Sequence, residues 1–259
     1  MVGQFRFQSA MEEGMSEVDD LRQRVAEACR VLARLDLTKA ATGHVSARVP
    51  GSERILIRAR GPGELGVRYT TPAQILEVDP DGKVIGGAEA GLESPIEVFI
   101  HTAIYKTRPE VNSVVHVHPP LVVLFTICRK PLQPLFGAYD PSALQLALEG
   151  IPSFERSILV STPALGEELA RVMGKAKTCM MRGHGITTAG PSVEEASLYA
   201  IQLNELAAMN YQANLLGEPE PISDADQAVF REMARRSGTG SGRAAAAWRY
   251  YRALTADRE

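Results

Sequence analysis

Cysteine is scarce in this chain of 259 residues: there are three, Cys29, Cys128 and Cys179, odd in number and far apart. A disulfide framework or a CxxC metal site needs closely paired thiols, so neither is expected and all three read as buried reduced thiols. Long apolar runs are lacking too. No stretch approaches the ~18 residues that would cross a bilayer, and the start, MVGQFRFQSAMEEGMSEVDD, has no basic segment leading into an apolar one. Net charge is only -3, from 28 basic and 31 acidic residues, which leaves no dominant attraction to nucleic acid or an anionic membrane. The expected partner is a small molecule and the expected compartment the cytoplasm. With 45% hydrophobic and 23% charged residues the composition is that of a globular protein, and an α/β fold of this length can form around one core. Internal repeats are absent.

Periodicity then places the elements. Apolar side chains recur at helical spacing over 17–36, EVDDLRQRVAEACRVLARLD, after an acidic first turn that suits the helix dipole. HVSARVP and ERILIRA flank a Pro50-Gly51 turn, and ILEVDPDGKVI folds back at Asp81-Gly82, predicting two hairpins. A helix is predicted from Ser94-Pro95 to about Lys106, then a strand, VNSVVHVH, stopped by Pro119-Pro120. LVVLFTICRK suits a buried helix or a strand, with helix preferred. TPALGEELARVMGK reads as a capped helix, KTCMMRGHG and ITTAG as strands broken at Gly185, and PSVEEASLYAIQLNELAAMNYQANLLG as a long helix closing on Gly217. Residues 1–217 therefore read as the catalytic domain. Residues 218–259 read as a helical tail behind a polar linker, with Trp248, Tyr250 and Tyr251 available to pack on the domain, on a neighbouring subunit or over a pocket.

The chain has five histidines, His44, His101, His116, His118 and His184, none of them in the tail. A lone histidine is more often structural than functional, but in VVHVHPP two stand two apart on a predicted strand. A side-chain period of two turns both to one face, where they can bind one ion. His184 lies between glycines that free its imidazole of neighbouring bulk, which makes it the natural third ligand. Three histidines with an open fourth position describe a catalytic metal site, with Zn first in expectation and Mn, Fe or Co also suited to imidazole. Glu97 and His101, four apart on the predicted helix, can both face that strand. Glu97 is the candidate acid/base, a role served by a carboxyl pKa raised towards neutrality. GPGELG (61–66) has GxGxxG spacing, but VRYTTP after it reads as β-like and proline-terminated. It offers no helix N-terminus to a pyrophosphate.

Taken together, TGHVSAR (42–48), PIEVFIHTAIYKTRPEV (95–111), VVHVHPP (114–120) and MRGHGITTAG (181–190) resemble the class II aldolase/adducin family over about residues 20–217. The resemblance implies a three-layer α/β/α sandwich with a largely antiparallel central sheet, and a homotetramer. It also implies one divalent metal ion per subunit on His116, His118 and His184, with Glu97 catalytic. Retention of that whole set argues against an adducin-like module without catalysis. Sugar-phosphate aldolases of the family carry a glycine–asparagine pair, a Thr-Pro-Ser-Gly-like loop and two serines that serve the phosphate. Here stand Gly43-His44, Arg58-Ala59-Arg60-Gly61-Pro62-Gly63 and Pro95-Ile96. Arginine forks match planar carboxylates, so the chain resembles the branch that decarboxylates hydroxylated aromatic or pyridine dicarboxylates. In that reading the metal acts as a Lewis acid while carbon dioxide leaves. His44 and Arg60, with Ser46 and Gly43 of the first motif, meet the substrate, whereas Arg58 and Arg68 read as surface charges. The alternative is an aldolase, epimerase or dehydratase of a small hydroxylated carbonyl compound, phosphorylated or not.

Overall fold

The computed structural model describes residues 16–87, 91–237 and 241–256. The chain's start, read above as leaderless, lies outside them at 1–15. Helix α1, Glu17–Arg34, opens on Ser16, whose hydroxyl accepts from the Asp19 N–H, and buries Leu21, Val25, Cys29 and Leu32. Two hairpins follow. β1 (His44–Arg48) pairs with β2 (Ile55–Arg58), and β3 (Ile75–Val78) with β4 (Val84–Gly86). α2 (Val98–Thr107), β5 (Ser113–Val117) and α3 (Pro120–Cys128) come next, so the apolar run after Pro119-Pro120 is a helix. α4 (Pro141–Glu149) and β6 (Ser153–Phe154) occupy a stretch the sequence pattern left unassigned. α5 (Pro163–Met173), capped by Thr162, leads to β7 (Thr178–Met181), β8 (Gly185–Gly190) and α6 (Val193–Leu216). α7 (Asp224–Ser237) and α8 (Ser241–Ala256) complete the described chain.

The strands form one sheet in the order β4-β3-β2-β1-β5-β8-β7-β6, antiparallel except where β6 meets β7. Helices cover both faces, giving three layers. Against one face lie α1, α3 and α6, packed on Val45, Ala47, Val115 and Val117, with α4 stacked on α6 and α8 on α1 and α6. Against the other lie α2 and α5, packed on Ile57, Val114, Cys179 and Met181. Because side chains alternate across a strand, His44, Ser46 and His116 share the parity of Val114 and face α2. This alternation carries the site histidines to one side of the sheet.

Several expectations need correction. α2 starts at Val98, later than Ser94-Pro95, because Pro95 and Glu97 form a turn in which the Val98 N–H reaches Pro95 O. Cys128 is exposed in the last turn of α3, unlike buried Cys29 and Cys179. Arg58 is no surface charge: it is 4% exposed and bonded to Glu64, Thr70 Oγ1 and the carbonyls of Ala41 and Gly43. Those bonds tie down the loop that enters β1. Val67–Tyr69 is a single 3-10 turn in place of the β-like run, so no α-helix opens behind GPGELG. In the tail, α8 lies on α1 and α6 and seats Trp248 in their core.

The α2–α5 contact is close at Gly166, where an added Cβ would stand 2.4 Å from Phe99 O and 3.1 Å from Ala103 Cβ. Overpacking costs about 1–3 kcal/mol, and replacing a helical glycine with alanine returns at most about 1 kcal/mol. Gly166→Ala should therefore lower the urea midpoint by an amount worth about 1–2 kcal/mol; an unchanged or raised midpoint would show that the helices can separate without loss.

Candidate active site

Four side chains converge from three places. Glu97 is the residue before the first turn of α2 and makes no side-chain cap bond, His116 and His118 stand on and just past the end of β5, and His184 sits in the turn between β7 and β8. That turn, Arg182-Gly183-His184, replaces the expected strand residues; Gly183 takes φ +58 and the His184 N–H closes on Met181 O. Glycine is required at 185, since an added Cβ would meet Val117 O at 2.4 Å and His118 Cδ2 at 2.6 Å. Glu97 Oε1 accepts from the buried Val160 N–H at 2.8 Å. Its Oε2 lies 3.5 Å from His116 Nε2 and 3.4 Å from His184 Nε2. The Nε2 atoms of His116 and His118 approach to 2.8 Å.

All four ligand atoms lie within 4.8 Å of one another. Two donors bonded to one ion at ~2.1 Å and tetrahedral angles stand roughly 3.4 Å apart, so the spacing suits a single ion. Both ring nitrogens of His184 are sealed from solvent without a hydrogen-bond partner. Its 3.4 Å approach to Glu97 Oε2 is therefore proximity rather than a formed bond. Orphaned buried nitrogens are costly unless something absent from the protein itself satisfies them. Three imidazoles and one carboxylate are a donor set for a divalent cation. The residues present fit a metal.

The charge states agree. Burial pushes the Glu97 carboxyl up, but the His116 and His184 imidazoles outweigh it and hold the group below its usual range. The expected rise towards neutrality is thus corrected, and Glu97 stands as a carboxylate. Burial lowers His116, and lowers His118 to about 3, so both present neutral imidazoles as ligation requires.

Residues 23–211 match the class II aldolase and adducin N-terminal domain. This chain belongs to that family. Over 232 residues, 88% of this chain and 91% of the relative, it is 37% identical to a 3,4-dihydroxyphthalate decarboxylase of Arthrobacter keyseri. A 3,4-dihydroxyphthalate decarboxylase of Terrabacter sp. (strain DBF63) is 41% identical over 197 residues, 76% of this chain and 82% of its own. Among solved structures, an aldolase II superfamily protein from Pseudomonas syringae superposes with TM-score 0.79 at 25% identity over 92% of each chain. L-fuculose 1-phosphate aldolase from Glaciozyma antarctica PI12 reaches 0.77 at 21% identity, covering 98% of this chain and 96% of its own, a likeness of fold.

The residues expected to meet the substrate divide. His44 pairs with His116 across β1 and β5, its ring centroid 5.1 Å from that of His116. Gly43 takes φ +94, and an added Cβ would strike Thr38 Oγ1 at 2.7 Å, so the turn into His44 needs glycine. Ser46 is fully buried, with its hydroxyl on His101 and Tyr105. Arg60 is not drawn into the cluster: exposed, it bonds Glu93 and the Ser94 carbonyl. Tyr105 and the Val160 N–H were not foreseen. Tyr105 could have been, since Glu97, His101 and Tyr105 recur at four-residue spacing opposite His44, Ser46 and Arg48 on alternate strand positions.

Proposed function

We propose that this class II aldolase/adducin family member is a decarboxylase of a hydroxylated aromatic dicarboxylate in aromatic catabolism. The observation that carries the reading is its similarity, over most of its length, to 3,4-dihydroxyphthalate decarboxylases. The fold of the sugar-phosphate aldolases is shared, but their phosphate-binding residues are replaced here, so aldol cleavage is the weaker reading.

His116, His118 and His184 would hold a divalent metal, which would supply Lewis acidity for breaking the carbon–carbon bond to the departing carboxylate. The electron pair of that bond stays on the ring carbon, carbon dioxide leaves, and the ring carbon takes a proton in its place. Glu97, ionised and anchored by Val160, orients the water that delivers this proton. His44 donates to a substrate oxygen anion beside the metal ligands, and Gly43 shapes the turn that holds His44 there. Arg60 is free to swing from its exposed pairing with Glu93 to a second substrate carboxylate. Residues 1–217 form the catalytic unit and 218–259 its helical tail. The metal is one of Mn, Zn, Fe or Co, and the assembly a cytoplasmic homotetramer. Exposed Leu215 and Leu216 at the end of α6 are apolar surface that a neighbouring subunit would cover. No helix among the described residues is long and apolar enough to cross a membrane.

The test is carbon dioxide release from 3,4-dihydroxyphthalate and from 3-hydroxy-2-methylpyridine-4,5-dicarboxylate by protein stripped of metal and then reloaded with each of the four ions. Release that follows reloading is expected from at least one. Metal-loaded protein that leaves both intact while cleaving a hydroxylated sugar phosphate would replace decarboxylation with aldol chemistry.

A further inference from the structure

Behind the cluster runs a chain of buried polar groups. His44 Nδ1 lies 2.6 Å from His101 Nε2, His101 Nδ1 2.6 Å from Ser46 Oγ, and Ser46 Oγ 2.8 Å from Tyr105 Oη. His44 is 6% exposed, His101 and Ser46 0% and Tyr105 4%. A neutral imidazole carries one N–H, so protons along this chain must all point one way.

Proton counting selects the direction. Among the described residues the acceptor bonded to Tyr105 Oη is Ser46 Oγ, while the backbone group of Val114 that reaches it is a donor, so its buried O–H donates to Ser46. Ser46 must then place its own proton. The Val114 carbonyl is 3.4 Å away, beyond the 2.5–3.0 Å range of roughly linear O–H···O bonds, whereas His101 Nδ1 is at 2.6 Å. Ser46 therefore donates to His101 Nδ1, which makes Nε2 the protonated nitrogen of His101, and that N–H donates to His44 Nδ1. His44 is left with its proton on Nε2, the nitrogen that takes no part in the chain of bonds behind it. Burial lowers His101 to about 3 and raises Tyr105, which keeps both groups neutral as the count assumes.

We propose that Ser46, acting through His101, is a positioning residue that holds His44 as the Nε2–H tautomer, aiming a fixed donor at an anionic oxygen of the substrate. The identity of that oxygen, a carboxylate or ring oxygen, rests on the decarboxylase reading; the tautomer does not. With the opposite tautomer His44 would turn a lone pair towards the anion and repel it.

The test is long-range proton–nitrogen NMR of the zinc-loaded, full-length protein, in which the two tautomers of His44 give different nitrogen shifts and cross-peak patterns. The expected wild-type pattern is Nε2–H. Ser46→Ala, and Ser46→Cys as a near-isosteric weak donor, should bring in the Nδ1–H form while zinc stoichiometry stays at the wild-type value. Tyr105→Phe, which leaves the Ser46 proton in place, should keep Nε2–H. Where a dicarboxylate is turned over, the Ser46 variants should lose roughly tenfold in kcat, the loss of about one hydrogen bond. A wild-type His44 protonated on Nδ1, or Ser46 variants that keep a pure Nε2–H pattern, would overturn the proposal. If no dicarboxylate is turned over, the decarboxylase reading fails and the tautomer result still decides this one.

Discussion

His116→Ala should yield a folded protein that holds less than about a tenth of the wild-type metal and has lost at least ~10³-fold in turnover, roughly 4 kcal/mol of transition-state stabilisation. His116 is 0% exposed and central, with ring centroids 4.8 Å from His118, 4.9 Å from His184 and 5.1 Å from His44. Its removal takes one of three imidazoles from the site and leaves Glu97 Oε2 with His184 alone. Stability should fall as well, since the change empties the space of a fully buried ring and removes its 2.8 Å contact with His118 Nε2. Chelation of the wild type should act in the same sense: an ion present at 100 times its dissociation constant stabilises by about 2.7 kcal/mol, so stripping it should lower Tm. Atomic absorption and thermal melts measure both effects. A variant that retains full metal would place the ion elsewhere.

The sheet and its site were legible in the sequence to different depths. The hairpins, the buried strand with its two histidines and the capped helices follow from period and turn chemistry that the structure leaves intact. The histidine cluster was readable because His116 and His118 have the parity of one strand face, and because glycine on both sides of His184 announces a close approach. The start of α2 was misread: Ser94-Pro95 is a good local start signal, but the carboxylate of Glu97 is bonded to Val160, a partner 63 residues away, and the helix begins after it. Arg58 was misread for a similar reason. A buried guanidinium looks the same in a sequence as an exposed one, and only the fold brings Glu64, Thr70 and the carbonyls before β1 around it. The pKa of Glu97 was expected in the wrong direction because the histidines near it were counted as metal ligands and not as neighbours that favour its charge.

Glu97→Gln separates those two roles. Glutamine keeps the shape and can still accept from the Val160 N–H through its carbonyl oxygen, so α2 and the loop at Val160 should stay in place. What it removes is the negative charge 3.5 Å from His116 and 3.4 Å from His184. The three histidines remain, so metal stoichiometry should stay near the wild-type value. Affinity should weaken, since a carboxylate beside a divalent ion is replaced by a neutral group. Carbon dioxide release should fall about 10²–10⁴-fold, the usual worth of a positioned acid/base group. The loss should lie in kcat with KM little changed, because the substrate oxygens are held by other residues and Glu97 acts on the proton. Turnover within about threefold of wild type, well short of that general acid/base range, would mean that the proton reaches the ring carbon without Glu97. A variant that loses its metal entirely would make Glu97 a fourth ligand, and its contribution to catalysis would then be through the ion.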